Sequence, residues 1–242
     1  LKMRMDFLLT MPVPQPGPVK VSVWTNLKSY AGYLFDLDGT IYLGEQLIPG
    51  ADQVVAALRA RGAKVLFLSN KPIARRASYA AKLTCLGIPA TESDVVNSPL
   101  ATARYLAAEY PNARVMVLGE QPLRDELIEA GVQLTDEVAD TDIVLVSWDR
   151  QITYEKLHRA HDALRAGARF FATNPDVTCP LEGGRMVPDA GANIAYLEAS
   201  TGRKLEVMIG KPPPIITQMA LAEMGLGPRD CLMVGDRLET DV

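Results

Sequence analysis

The sequence YLFDLDGT at residues 33–40 joins an apolar run to two acids, a glycine and a hydroxyl. An uninterrupted apolar run is typical of a strand covered on both faces of a sheet. The two carboxylates, Asp36 and Asp38, can face one site where the chain leaves the sheet. Their mutual repulsion favours a cation between them, and oxygen ligands of this kind suit magnesium. A simple turn is the alternative interpretation, because Asp and Gly are common turn residues.

The same pattern recurs along the chain, where short apolar runs end abruptly in polar residues or glycine. These runs lie at residues 65–68, 115–118, 143–146, 170–172, 207–209 and 232–234. Helical patterns lie between them, at residues 51–62, 74–87, 98–109, 121–131, 153–167, 189–202 and 214–225. Strands that alternate with helices predict an α/β fold with a largely parallel sheet. Ligands of such sheets bind beyond the carboxyl ends of the strands, so the polar residues there form the candidate site.

Three later strand ends carry further chemistry. Ser69-Asn70 precedes a helix, and a hydroxyl beside helix N-terminal amides can hold a phosphate, although both residue types are also common N-caps. Lys211 can neutralise a phosphoryl oxygen, although a lone lysine is usually a solvated charge. Asp236 and Asp241 add two acids after the last apolar run. Each segment is weak by itself, but the four in this order indicate phosphate chemistry.

Together these segments resemble the four motifs of haloacid dehalogenase (HAD) superfamily phosphatases. The matching residues are Asp36-Leu37-Asp38-Gly39-Thr40, Ser69, Lys211, and Gly235-Asp236 with Asp241. The chain most resembles the subclass IIA group of NagD-like and arabinose-operon sugar phosphatases, with their 4-nitrophenylphosphatase and phosphoglycolate phosphatase relatives. The resemblance covers about residues 31–242. It implies a HAD-like Rossmannoid parallel-sheet core with an inserted α/β cap domain of the C2 type.

The resemblance implies a role for each motif residue. Asp36 is expected to be the nucleophile and a magnesium ligand. Asp38 is expected to be the general acid and then the base, with its backbone carbonyl on the metal. Lys211 is expected to balance the charge of the phosphorylated aspartate. The remaining metal residues are Asp236 and Asp241, and the remaining substrate-binding residues of the core are Ser69, Asn70, Gly39 and Thr40.

The long interval between the second and third motifs predicts an inserted domain. The resemblance places an α/β cap at residues 110–205, inside a catalytic core made of residues 21–109 and 206–242, and it implies that a cap of this type forms homodimer contacts. Asn174, Asp176 and Thr178 are the candidate substrate contacts from the cap, with a plain capping turn as the alternative. The proline-rich residues 1–20 are expected to be an extended or disordered lead-in.

Composition narrows the classes of protein and of partner. The net charge of −4 argues against general binding of nucleic acid, which needs a basic face. No apolar run reaches the roughly 18–20 residues of a membrane helix, and three dispersed cysteines suit a reducing compartment. We therefore expect a cytoplasmic protein whose partner is a small phosphorylated metabolite.

The function predicted from the sequence is a Mg²⁺-dependent phosphatase that forms an aspartyl-phosphate on Asp36. Two alternatives stay open: a phosphotransferase or phosphomutase of the same fold, and a phosphate-binding relative that does not turn over. The sequence names no substrate. Since relatives continue beyond Asp241 with a helix and a strand, we also expect the C-terminal part of the core to be truncated.

Overall fold

The fold comes from a computed structural model and is described for residues 29–180 and 185–241. The predicted lead-in at residues 1–20 lies outside these residues. The strands are β1 (Gly32–Asp36), β2 (Tyr42–Leu43), β3 (Gln46–Leu47), β4 (Lys64–Ser69), β5 (Val95–Asn97), β6 (Arg114–Leu118), β7 (Gln133–Leu134), β8 (Ile143–Val146), β9 (Arg169–Ala172), β10 (Thr178–Pro180), β11 (Met186–Pro188), β12 (Val207–Met208) and β13 (Cys231–Val234). The helices are α1 (Ala51–Ala60), α2 (Arg76–Cys85), α3 (Ser98–Glu109), α4 (Gln121–Glu129), α5 (Tyr154–Ala166), α6 (Ala190–Thr201), α7 (Pro214–Met224) and α8 (Leu238–Asp241).

The first sheet has the strand order β13-β1-β4-β5, and each pair of neighbours is parallel. In the central register Phe35 lies beside Phe67 on one side and Val234 on the other. Parallel pairing places the carboxyl ends of all four strands at one edge. The segments that follow β1, β4 and β13 therefore meet there, and these are the segments that carry three of the four predicted motifs.

The second sheet has the order β12-β9-β8-β6-β7 and is also parallel throughout. Its last strand, β12, lies within residues 206–242, which the sequence analysis assigned to the core. Val207 and Met208 pair with Phe171 and Ala172 of β9. This pairing joins segments that are distant in sequence, so the local pattern of residues could not reveal it.

Helices cover both faces of the two sheets. One apolar cluster contains α3, α4 and α7 together with residues of both sheets, so these helices lie between the sheets. A second cluster packs α1 and α2 on the other face of the first sheet, and a third packs α5 and α6 on the second sheet. Within β6, Val115 and Val117 enter the shared cluster while Met116 and Leu118 enter the third. Burial on both faces explains the uninterrupted apolar runs.

The structure confirms the α/β class with parallel sheets and adds elements that the sequence did not predict. Strand β5 has only three residues, and the antiparallel hairpins β2–β3 and β10–β11 have strands of two or three. Segments this short carry too few residues to show a periodic pattern. The β2–β3 hairpin directly follows the first acidic motif, and β10–β11 follows the predicted substrate residues of the cap.

Candidate active site

Three acids from two segments converge at the carboxyl edge of the first sheet. Asp36 ends β1, Asp236 follows β13, and Asp241 ends α8. Each offers one carboxylate oxygen, and these oxygens all lie within 4.8 Å of one another. Lys211 reaches the same point: its Nζ contacts Asp36 Oδ1 and lies 2.6 Å from Asp241 Oδ1, and the side chain is only 3% exposed. One ammonium thus contacts two of the three carboxylates.

Burial shapes the electrostatics of this carboxylate cluster. Burial raises the pKa of Asp36 from 3.8 to about 6, Lys211 opposes that rise, and the nearby charges of Asp241 and Asp236 reinforce it. The cluster therefore holds more negative charge than its one lysine balances. A compact set of carboxylate oxygens with a surplus of negative charge fits a hard divalent cation such as magnesium. The residues that would hold it are Asp36, Asp236 and Asp241.

Glycines let the acidic segments approach closely. Gly39 has a φ of +93°, and a Cβ added there would lie 2.2 Å from Asp236 Oδ2. A Cβ on Gly235 would lie 2.2 Å from Asp241 Oδ2. Any side chain at either position would displace a carboxylate of the cluster. The neighbouring Thr40 hydroxyl is buried and has no hydrogen-bond partner among the described residues.

Asp38 lies two residues after Asp36 and is partly exposed. Its side chain is 39% exposed, and its Oδ1 accepts a hydrogen bond of 3.3 Å from Lys71 Nζ. The same ammonium lies 5.8 Å from the ring centroid of Trp148 in the second-sheet domain. Tyr79 Oη donates to the Lys71 carbonyl at 2.8 Å, which fixes the backbone of that residue. Sequence reasoning missed Lys71, because nothing in the sequence shows that it lies opposite Asp38.

Asn70 forms hydrogen bonds with both backbone polar groups of Lys211. Its Oδ1 accepts from the Lys211 backbone N–H at 2.8 Å, and its Nδ2 donates to the Lys211 carbonyl at 3.1 Å. Ser69 is buried, and its hydroxyl accepts from the Lys71 backbone N–H at 3.1 Å. Asn70 therefore positions Lys211, a role that the sequence did not predict. The predicted phosphoryl contacts of Ser69 and Asn70 stay predictions.

The three residues predicted to bind substrate from the cap lie in different surroundings. Asn174 is fully buried, where it donates to Asp176 at 3.2 Å and to Asp189 at 3.0 Å, and its predicted substrate contact stays a prediction. Asp176 reaches the first-sheet domain, where it accepts from Asn70 at 3.3 Å and from Arg237 at 2.9 Å. Thr178 begins the β10–β11 hairpin. Arg237 is the second residue that the sequence analysis missed.

The arrangement supplies the parts of a phosphoryl-transfer site. Asp36 is a buried nucleophile candidate beside a cation, Lys211, and beside further carboxylates able to hold a metal. Asp38 is a partly exposed carboxyl close in sequence to Asp36, and a general acid must be able to reach the leaving group. Positioning and charge neutralisation carry most of the catalysis in this chemistry, because covalent assistance is limited.

Comparisons with known proteins agree with this geometry. Residues 33–133 match the family model of haloacid dehalogenase-like hydrolases, and residues 208–242 match a HAD-hydrolase-like model. The chain is 40% identical over 214 residues to the sugar-phosphatase AraL of Bacillus subtilis, covering 88% of this chain and 78% of the relative. Its fold is similar to p-nitrophenyl phosphatase from Archaeoglobus fulgidus, with a TM-score of 0.83, 34% identity, and coverage of 88% of this chain and 81% of the other.

A third similarity involves a structure that contains magnesium. Glycerol phosphate phosphatase Rv1692 from Mycobacterium tuberculosis, in complex with magnesium, has a TM-score of 0.80 and 35% identity, covering 88% of this chain and 64% of the other. The chain belongs to the haloacid dehalogenase-like hydrolases. Within that family it is a phosphatase of the NagD-like and sugar-phosphatase group, which confirms the resemblance drawn from the sequence. Within residues 29–180 and 185–241, no helix has the length and apolar character needed to cross a membrane.

Proposed function

We propose that this protein is a magnesium-dependent phosphatase of sugar phosphates or similar small phosphomonoesters, acting through an aspartyl-phosphate on Asp36. The observation that carries the proposal is the contact of Asp36 with the buried Lys211 inside the cluster of three carboxylates. The similarity to a sugar phosphatase supports the class of substrate. A homodimer through the cap and a cytoplasmic location stay predictions from the sequence.

In the first half-reaction the Asp36 carboxylate attacks phosphorus. The bond between phosphorus and the leaving-group oxygen breaks, and that oxygen takes a proton from Asp38. The partial exposure of the Asp38 carboxyl supports this role. Magnesium, when bound by the side chains of Asp36, Asp236 and Asp241 and the Asp38 carbonyl, supplies positive charge for the phosphoryl oxygens. Lys211 balances the negative charge that collects on the Asp36 side.

In the second half-reaction a water molecule attacks phosphorus. Asp38 accepts the proton of that water, the bond between phosphorus and Asp36 breaks, and inorganic phosphate leaves. Splitting the transfer at a carboxylate replaces one difficult displacement with two easier ones. Asn70 holds the Lys211 backbone through both of its polar atoms, so the ammonium stays in place during both steps.

The test is a panel assay of phosphate release with and without magnesium. The panel contains hexose and pentose phosphates, glycerol phosphate, a nucleoside monophosphate and p-nitrophenyl phosphate. We expect release to require magnesium and to stop with chelator, and we expect at least one sugar phosphate to exceed the nucleotide in kcat/KM. Full activity in chelator would contradict the metal dependence. Transfer of the phosphoryl group to added alcohol without free phosphate would show a phosphotransferase.

A further inference from the structure

Arg237 lies between two members of the carboxylate cluster in the sequence and contacts a loop of the other sheet. Its backbone N–H donates to Asp241 Oδ2 at 3.1 Å. Its guanidinium donates to Asp176 Oδ1 at 2.9 Å, with the two side chains 39% and 13% exposed. A single residue thus joins the 235–241 loop, which carries Asp236 and Asp241, to the 173–176 loop after β9.

The second oxygen of Asp176 contacts the opposite side of the same site. Asp176 Oδ2 accepts from Asn174 at 3.2 Å and from Asn70 at 3.3 Å, and Asn70 in turn forms hydrogen bonds with the backbone of Lys211. Asp176 therefore has contacts toward both the lysine and the acidic loop. Asp241 contacts Lys211 Nζ at 2.6 Å, so the 235–241 loop is held by the lysine through Asp241 and by the 173–176 loop through Arg237.

We propose that the Arg237–Asp176 ion pair couples the orientation of the 173–176 loop to that of the 235–241 loop. The bound orientation of the 173–176 loop then favours binding of magnesium at the 235–241 loop, and bound magnesium favours that orientation. The inference rests on the proposed function only in taking magnesium as the ion of the site. Coupling of this kind is reciprocal, because the two events share one free-energy difference. Both Arg237 and Asp176 are therefore positioning residues for the carboxylates.

The alternative is that the pair acts only through its charges or only on stability. An exposed ion pair contributes about 0–1 kcal/mol and need not affect a neighbouring site. If Arg237 acted only through its charge, Arg237→Met would strengthen magnesium binding, because it removes a positive charge beside the cation site. If Arg237 positions the carboxylates, the same substitution weakens binding. The sign of the effect of Arg237→Met on magnesium affinity therefore separates positioning from charge.

The experiment measures magnesium binding without turnover, by calorimetric titration of Arg237→Met, Asp176→Asn and the double variant. We expect each single variant to bind magnesium roughly 5- to 20-fold more weakly, at about 1–2 kcal/mol of coupling, and the double variant to be no weaker than the worse single variant. The matched control is Arg169→Met with Glu206→Gln, a pair that also lies at 2.9 Å but joins β9 to the segment before β12. Magnesium affinity should stay unchanged in these controls.

A second readout follows the loop itself. Hydrogen exchange of residues 173–176 should slow when magnesium is added to the wild-type protein, and should not respond in Arg237→Met. Tighter or unchanged magnesium binding in Arg237→Met, or additive losses in the double variant, would overturn the inference. Because these measurements need no substrate, failure of the proposed function shows separately, as an absence of phosphate release by a wild-type protein that binds magnesium.

Discussion

Both sheets end in polar segments, but the carboxylates at the two edges differ in whether each has a cationic partner of its own. At the edge of the first sheet three carboxylates lie close together with one lysine that contacts two of them, and burial raises the pKa of Asp36 to about 6. At the edge of the second sheet the acids have partners of their own. Glu120 accepts from Arg150 at 2.7 and 2.6 Å, and Asp149 lies 2.7 Å from Lys156. The paired acids stabilise their loops, whereas the crowded ones leave a charge that a cation can satisfy.

The largest expected effect is a loss of activity when a carboxylate is removed at the first sheet's edge but not at the second's. Asp36→Asn keeps the shape of the side chain but removes the nucleophile, so kcat/KM should fall by about 10³-fold or more. Glu120→Gln removes a carboxylate of the second edge and should change kcat/KM by less than about threefold. Steady-state phosphate release measures both. Similar losses in the two variants would mean that the edges do not differ in function.

Asp38→Asn should reduce activity more for a phosphate with a poor leaving group than for one with a good leaving group. An alkyl phosphate needs a proton on its departing oxygen, so its kcat/KM, which reports transfer to Asp36, should fall by about 10²–10³-fold. p-Nitrophenolate leaves without that help, so its kcat/KM should fall by only about tenfold. The measurement is the ratio of kcat/KM values for glycerol phosphate and p-nitrophenyl phosphate in each protein. Equal losses for both substrates would remove Asp38 from the role of general acid.

Stability without metal should respond in the opposite direction to activity. The folded pKa of Asp36, about 6, lies above its ordinary 3.8, so ionisation destabilises the fold. The destabilisation is absent below about pH 4, grows up to about pH 6 and stays constant above. Asp36→Asn should therefore raise the free energy of unfolding at pH 7 by about 2–3 kcal/mol in chelator. Urea unfolding at pH 4 and pH 7 measures this, and a variant less stable than wild type at pH 7 would contradict the account.

The smallest expected effect is a loss of stability at the edge of the second sheet, opposite in sign to the gain expected for Asp36→Asn. The hydrogen bonds from Arg150 lower the pKa of Glu120 below its ordinary 4.5. Its contribution to stability is therefore present above about pH 4.5 and is lost as pH falls through the lowered value. Since Arg150 is exposed, Glu120→Gln should lower the free energy of unfolding at pH 7 by only about 0.5–1 kcal/mol. Thermal unfolding measured alongside Asp36→Asn should show melting temperatures that move in opposite directions.

Much of the fold could be predicted because its strands are buried on both faces. Within residues 29–180 and 185–241, the apolar runs and helical periods placed the seven longer helices and most of the parallel strands close to their observed limits. The features of the fold that the sequence did not predict depend on contacts between distant segments. The pairing of β12 with β9 and the three-residue β5 are set by neighbours in space, which a local pattern cannot show.

The site was predictable where a motif carries the chemistry. Asp36, Asp236, Asp241 and Lys211 lie together as their positions at strand ends suggested. Lys71 and Arg237 belong to no such pattern, since a lysine or an arginine in a loop is usually solvated. Their places opposite Asp38 and Asp176 follow from the way in which segments distant in sequence pack together, and this could be learned only from the folded chain.

The most direct test of the account is to trap the covalent intermediate. The protein is mixed with substrate and magnesium, quenched in hydroxylamine and digested for mass spectrometry. An acyl-phosphate on Asp36 would react to give a hydroxamate at that residue, which is absent without substrate and absent in Asp36→Asn. The account predicts this modification on the peptide that contains residues 33–40. Rapid phosphate release with Asp36 unmodified, or with the modification at another acid, would contradict it.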